Sequence, residues 1–254
     1  MAALQANDIR PETLDGVAHR VVHGGAALTG PALATPDVRA TLDTLCDLAP
    51  LHLPPALAGI DAITHAAPKI RQAISLDTAF HAHHSAIETA YALPEDARAA
   101  GLRRYGFHGL SYASLCATMG AALPKRTLAF HIGAGVSLCA IRDGKSVATT
   151  MGYSPLSGPP MATRAGDIDP LAVLALAQTH GIDGATRLLS RESGLLGLSG
   201  ISGDMMTLEA SPDPRARFAI DHFCHWIARA AAGLLPALGG VDGFVFTGGI
   251  GENS

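Results

Sequence analysis

Between Thr127 and Thr150 three strand-like runs follow one another with almost nothing between them. They are Thr127 to His131, Val136 to Arg142 and Ser146 to Thr150, separated only by Gly133-Ala134-Gly135 and Asp143-Gly144. An Asp-Gly pair between such runs is a strong hairpin signal, because both residues accept the positive φ of the tight turn. The pattern predicts an antiparallel meander. Strand-like segments also stand at Val17–Val22, Ala73–Leu76 and Gly243–Thr247, with helical periodicities between them, so the class is α/β.

The helical spacing predicts helices over Pro36–Leu48, with Val38, Leu42, Leu45 and Leu48 on one face, over Ala56–His65 and over Ser111–Met119. A brief helix is expected at Ser85–Tyr91. Asp169-Pro170 starts a further helix through His180, with Asp169 as cap and Pro170 in the first turn. A long helix covers Arg215–Ala237. Pro50–Pro55, Tyr105–Gly109, Gly152–Gly166 and the Gly/Ser-rich Ser193–Gly203 read as loops. A loop as long as Gly152–Gly166 inside a domain is more often functional than idle. The one break in the pattern that suits a domain boundary is Ala82–Glu95.

Composition narrows the classes. At 254 residues, 48% apolar and 16% charged, the chain can bury a core and is not of disordered type. The net charge of −4 comes with no Lys/Arg run, which argues against a nucleic-acid groove. The stretch Ile227–Leu238 is interrupted by Arg229, Gly233 and Pro236, so no membrane span is expected. Cys46, Cys116, Cys139 and Cys224 are scattered, which fits free thiols and a cytoplasmic location. The chain begins just before a strand-like segment and stops at a strand running into a glycine turn with no helix after it. It reads as a piece shortened at both ends.

Three glycine turns follow or flank strands: His131-Ile-Gly-Ala-Gly135, Gly194–Gly203 and Thr247-Gly-Gly-Ile-Gly251. Glycine lets backbone N–H groups approach an anion closely. Each turn alone is an ordinary tight turn; three together favour a nucleotide. None fits GxxxxGK[ST] or GxGxxG, so neither a P-loop nor a dinucleotide fold is supported. Arg20 and Arg164 sit among small and apolar residues, where a guanidinium can grip carboxylate or phosphate with paired hydrogen bonds. Arg164 could equally form a structural ion pair with Asp167 or Asp169. Asp77 ends an apolar strand, a position where ligands often bind; it could hold a divalent cation or cap the next turn with Thr78. His23, His52, His108 and His131 stand in or beside turns, where imidazole can donate to a developing anion. His81-Ala-His83-His84 lacks zinc-site spacing and reads as a solvated or capping run.

Taken in order, HRVVHGG, APLH-x-P, DTAFH, RYGFHG, HIGAG, MGYSPL-x-G, TRAGDIDP, SGLLGLSGISGD and VFTGGIGENS resemble the acetate kinase family, which includes propionate and butyrate kinases. The resemblance runs from about His19 to Ser254. It implies a two-lobed actin/sugar-kinase/Hsp70-like fold with RNase-H-like cores, here with an incomplete first lobe. It implies residues 1–80 as a partial N-terminal lobe on the carboxylate side. Residues 81–254 are then a C-terminal lobe on the nucleotide side, incomplete at its end. The implied reaction is ATP plus acetate to ADP plus acetyl phosphate by direct in-line transfer, with Mg²⁺ or Mn²⁺, in a homodimer.

By resemblance, Arg20 and Arg164 grip the carboxylate and the transferring phosphoryl, and His108 stabilises the transition state. Asp77 matches the aspartate at the metal and catalytic site. His131, Gly133, Gly135, Asp204, Gly249, Ile250 and Asn253 match the nucleotide pocket, and Val22, Leu51 and Pro155 fall near the acyl methyl. The chain departs from the family pattern in three ways. Ala134 replaces an amide side chain, and Met206 replaces an arginine. Two ligand-bearing terminal segments are missing. The chain is therefore expected to be either a carboxylate kinase of this family, with acetate, propionate or butyrate as acceptor, or a truncated, non-catalytic nucleotide-binding or dimer-forming remnant.

Overall fold

The computed structural model describes residues 7, 10, 13–49 and 52–254. The chain divides into two units. One holds the residues up to Ala82 together with Phe107–Ala113; the other holds His83–Gly106 and Ser114–Ser254.

In the first unit, β1 (Gly16–Val21) lies parallel to β3 (Arg71–Leu76), and the two-residue β2 (Ala32–Leu33) pairs antiparallel on the other side of β3. Alternation along β3 buries Gln72, Ile74 and Leu76. Helix α1 (Pro36–Asp43) starts where the Thr35 hydroxyl accepts the Val38 N–H. Helix α2 (Leu53–Ala66) packs Leu53, Leu57 and Ile60 into a core with Val21, Leu42, Ile74 and Leu76. Each such side chain, fully buried, stabilises the unit by about 1.5–3 kcal/mol before entropy is counted.

In the second unit, β4 (Arg126–Ile132), β5 (Val136–Arg142) and β6 (Lys145–Thr149) form the expected meander. β7 (Gly243–Thr247) adds parallel to β4, giving the order β6-β5-β4-β7. Asp143 and Gly144 both take positive φ, 51° and 74°, as the hairpin demands. An antiparallel meander with a parallel strand beside its first member is the arrangement of an RNase-H-like core. The long helix α5 (Pro214–Leu238) packs on it and ends at Gly239 in the left-handed conformation.

The helices between depart from expectation in detail. α1 ends at Asp43, and Cys46–Leu48 forms a separate 3-10 turn. α2 begins at Leu53 rather than Ala56, because Pro54 and Pro55 sit in a first turn that needs no N–H donors. Helix α3 (Gly109–Met119) starts two residues early. Helix α4 (Pro170–Arg191) does break beyond His180, at Gly181 with φ 71°, but helical structure resumes to Arg191. The expected loop Ser193–Gly203 contains a helical segment, Gly194–Ser199, closed by Gly200 in the left-handed region. Helical turns also occur at Glu95–Ala99 and Met205–Glu209. The last strand does lead into a helical turn, Gly249–Asn253, where Glu252 accepts the N–H of Gly248.

Candidate functional site

The C-terminal ends of β1 and β3 carry the first group of candidate residues. Their parallel register sets Arg20 opposite Ser75 and Val21 opposite Leu76, so Arg20 and Asp77 reach the same end of the sheet. The Arg20 guanidinium meets Asp77 edge to edge: Nε donates to Oδ1 at 3.1 Å and Nη2 to Oδ2 at 2.6 Å. The Asp77 side chain is only 2% exposed, whereas that of Arg20 is 64% exposed. The hydrogen bond to the carboxylate pushes the arginine's pKa up further. Asp77 is thus an ion-pair partner rather than a cap. Thr78 instead turns its hydroxyl oxygen to the Gly24 N–H, 3.1 Å away.

The turn after β1 is tightly built. A Cβ on Gly24 would run into the Leu28 carbonyl and Leu76. His23 is fully buried, and burial pulls its pKa down to about 4. Its Nδ1 accepts the Gly25 N–H, so the proton of the neutral ring sits on Nε2. Phe107 packs edge-on against this imidazole at 5.5 Å. The next residue, His108, has φ 57°, a conformation that non-glycine residues hold only when their surroundings impose it. What imposes it is Gly109, whose N–H donates to the Asp77 carbonyl at 2.8 Å and whose missing Cβ leaves room for that oxygen. The first unit therefore joins Arg20 to Asp77 directly, and holds His108 one residue from a backbone bond to Asp77. Val22 follows β1, partly exposed; Leu51 lies outside the described residues.

In the second unit the glycine turns after β4 and β7 lie side by side, since His131 and Thr247 are register partners. Gly248, at φ 87°, abuts the Ile132 carbonyl, and Gly133 faces the Gly249 backbone. The Ala134 carbonyl accepts the Ala162 N–H at 3.2 Å, which ties the His131–Gly135 turn to the segment carrying Arg164. That segment is anchored from its other side as well. The N–H groups of Leu195 and Leu196 donate to the carbonyls of Met161 and Ala162, and Gly194 gives the room for this.

Arg164 is half-buried, and burial lowers its pKa. Its Nη1 donates to the Pro155 carbonyl at 3.1 Å and contacts the Met161 sulfur at 3.6 Å. It makes no ion pair among the described residues. The acids expected as partners are committed elsewhere: Asp167 Oδ1 to the Gly158 N–H, Asp169 Oδ1 to the Leu171 N–H. Asp204 is exposed and caps the Met205–Glu209 turn through Thr207, whose bonds hold its carboxyl below the usual range. The Asn253 amide donates to the Gly249 carbonyl. The bonding of Asp167 is what the sequence did not disclose, because Gly158 stands nine residues away inside a loop without periodicity.

Among the described residues no group of three His, Cys, Asp or Glu side chains could hold a metal ion. Asp77 offers one carboxylate, and both of its oxygens are taken by Arg20. This donor set does not fit Mg²⁺ or Mn²⁺ by itself. His81 and His84 part company: His81 Nε2 pairs with the Phe107 carbonyl, His84 Nε2 with the Ser146 hydroxyl. No described helix is long and apolar enough to cross a membrane.

These features define an α/β protein of the two-lobed actin/sugar-kinase/Hsp70-like class, with Arg20 at a strand end of one unit and Arg164 in a loop tied to a glycine turn of the other. A model of the Acetokinase family matches residues 2–254, and the chain belongs to that family. It is 46% identical over 248 residues to an acetate kinase of Rhodopseudomonas palustris (strain TIE-1), covering 95% of this chain and 62% of that one. An acetate kinase of Methylocella silvestris is 47% identical over 242 residues, 93% of this chain and 60% of the relative. Among solved structures, Porphyromonas gingivalis acetate kinase superposes with a TM-score of 0.86 at 38% identity, over 95% of this chain and 63% of that one. A propionate kinase from Francisella tularensis gives 0.92 at 34% identity, over 100% and 68%. The chain thus spans 60–62% of the length of these two curated relatives.

Proposed function

We propose that this chain serves phosphoryl transfer between ATP and a small carboxylate, acetate in the first instance, giving ADP and acetyl phosphate. The observation that carries the reading is Arg164: a half-buried guanidinium with no carboxylate partner among the described residues, fixed on the Pro155 carbonyl and tied through Ala162 to the glycine turn after β4. A half-buried charge without a counter-ion is incompletely compensated, and an anion that visits it would supply the missing partner. A phosphoryl group in flight is such an anion.

Phosphoryl transfer asks for in-line positioning and positive charge on the equatorial oxygens rather than covalent work by the protein. Acetate is already a nucleophile, so no base is required. Arg20, oriented by Asp77, has an exposed side free to meet the carboxylate, and the family resemblance is the ground for assigning Val22, Leu51 and Pro155 to the acyl methyl. His108 donates to the developing charge. His131, Gly133, Gly135, Asp204, Gly249, Ile250 and Asn253 form the nucleotide side. The family implies Mg²⁺ or Mn²⁺ with the nucleotide, for which the described residues offer no ligand set of their own. A homodimer and a cytoplasmic location complete the proposal. The latter is supported by four cysteines without a disulfide among the described residues.

Hydroxylamine trapping of acetyl phosphate tests this. Activity is expected, with Arg164→Ala lowering it by about 100-fold, as for loss of one electrostatic contact to a transition state. Full activity in Arg164→Ala would overturn the reading. The likeness to a propionate kinase structure favours propionate as a second acceptor. One methylene in an apolar pocket is worth about 1–3 kcal/mol, so comparison of kcat/KM for the two acids decides between them.

A further inference from the structure

Asp167 holds a place that the function above does not use. Its carboxylate Oδ1 accepts the Gly158 N–H at 2.8 Å, and its own N–H donates to the Gly158 carbonyl at 2.8 Å. The two residues therefore close a ring across the loop that runs from Gly152 to Gly166. Gly158, at φ 102°, and Gly166, at φ 75°, let the two strands of the loop touch: a Cβ on Gly166 would lie 2.6 Å from the Gly158 carbonyl. A second tie, from the Gly152 N–H to the Ser157 hydroxyl at 2.7 Å, closes the segment on the other side of Pro155. Pro155 is thereby held from both sides, and its carbonyl is the acceptor that fixes Arg164 Nη1. Among the described residues Asp167 makes no ion pair with Arg164; its Oδ1 is held by the Gly158 N–H.

We propose that Asp167 is a positioning residue for Arg164. It pins the loop at Gly158 so that the Pro155 carbonyl orients the guanidinium toward an incoming anion. The proposal rests on the anion-binding reading of Arg164, and its test separates the two.

Arg164 is labelled with phenylglyoxal and each arginine is followed by peptide mass mapping, which requires no turnover. Asp167→Ala is expected to label at Arg164 up to about tenfold faster than the unsubstituted chain, the effect of leaving one part-buried hydrogen bond unmade. Arg187 and Arg191 should keep their rates. Asp167→Asn retains the Oδ1 acceptor and should label at the unsubstituted rate. Should Asp167→Ala fail to fold, Asp167→Ser, which lacks the reach to Gly158, carries the same comparison. An unchanged Arg164 rate in the alanine variant overturns the proposal. So does faster labelling at all three arginines, or loss of the fold in both variants, since Asp167 is then part of the scaffold. Inorganic phosphate supplies the separate check: if it does not slow labelling of Arg164, the anion-binding reading fails while the Asp167 comparison still stands or falls by itself.

Discussion

Asp77 is buried under the guanidinium of Arg20, with both carboxylate oxygens bonded and the arginine's far side open to solvent. The burial is one-sided, and so is the expected response to mutation. Arg20→Ala strands a buried carboxylate and should cost about 2–3 kcal/mol, the low end for a broken buried pair because the arginine is itself largely exposed. Asp77→Asn leaves an arginine that water can solvate and should cost less than half of that. The double variant should resemble Asp77→Asn alone. Urea unfolding of the three variants measures this; equal losses in the two single variants would show that the carboxylate is not the stranded partner.

Gly109 and Gly59 make opposite predictions from the same substitution. At Gly109 an added Cβ meets the Asp77 carbonyl oxygen and sits 2.9 Å from the Phe80 Cβ, so Gly109→Ala must push the His108 turn off the end of β3. A loss of about 2–3 kcal/mol is expected, the cost of overpacking a site that cannot yield. At Gly59, inside α2, nothing lies within 4 Å of the added carbon. Gly59→Ala should stabilise by up to about 1 kcal/mol, through helix propensity alone. Thermal midpoints that move the same way in both variants would refute the account of the Gly109 contact.

What the sequence disclosed and what it hid divide along a physical line. The meander and β7 were legible because apolar strands and an Asp-Gly turn are local signals. β2 escaped because two residues carry no period; Ala32 and Leu33 are strand only through pairing with β3. Gly194–Ser199 was hidden by its composition. Gly194 and Gly197 suggest a loop, yet close approach to the Met161 and Glu192 carbonyls is what requires those glycines. Arg20, Asp77 and Arg164 were recognisable as a set of residues. Their partners were not, because a hydrogen bond from Gly158 to Asp167 leaves no trace in residue spacing.

Cysteine reactivity follows burial. Cys139 is fully buried in β5, its thiol bonded to Ser146 and pushed up to about 12 by desolvation. Cys224, on α5, is exposed. A disulfide reagent at pH 8 should modify Cys224 well before Cys139, which should react only as fast as the protein unfolds, because the reagent must reach the sulfur and the thiolate is the attacking species. Peptide mapping reads the order. Early modification of Cys139 in folded protein would mean that the β4-β5-β6 sheet opens far more readily than its packing implies.

The imidazole of His23 sets an acid limit on the first unit. Burial holds it neutral down to about pH 4, against 6.5 for the unfolded chain. Between these values the unfolded state binds a proton that the folded state does not, so stability rises with pH across this window and falls as the solution is acidified. The loss on going from pH 7 to pH 4 is on the order of 3 kcal/mol for this one group. His84, in the second unit, is lowered to about 4 by its own burial and by Arg103, and adds a similar slope there. Urea titrations at intervals from pH 7 to pH 4 should therefore show a falling midpoint, and His23→Gln should flatten the slope by about one proton. The expected absolute stability of that variant is lower at pH 7, because the glutamine must replace a ring packed on Phe107. Only the slope tests the argument. If His23→Gln lost stability with acid as steeply as the unsubstituted chain, the buried imidazole would not be the group that titrates.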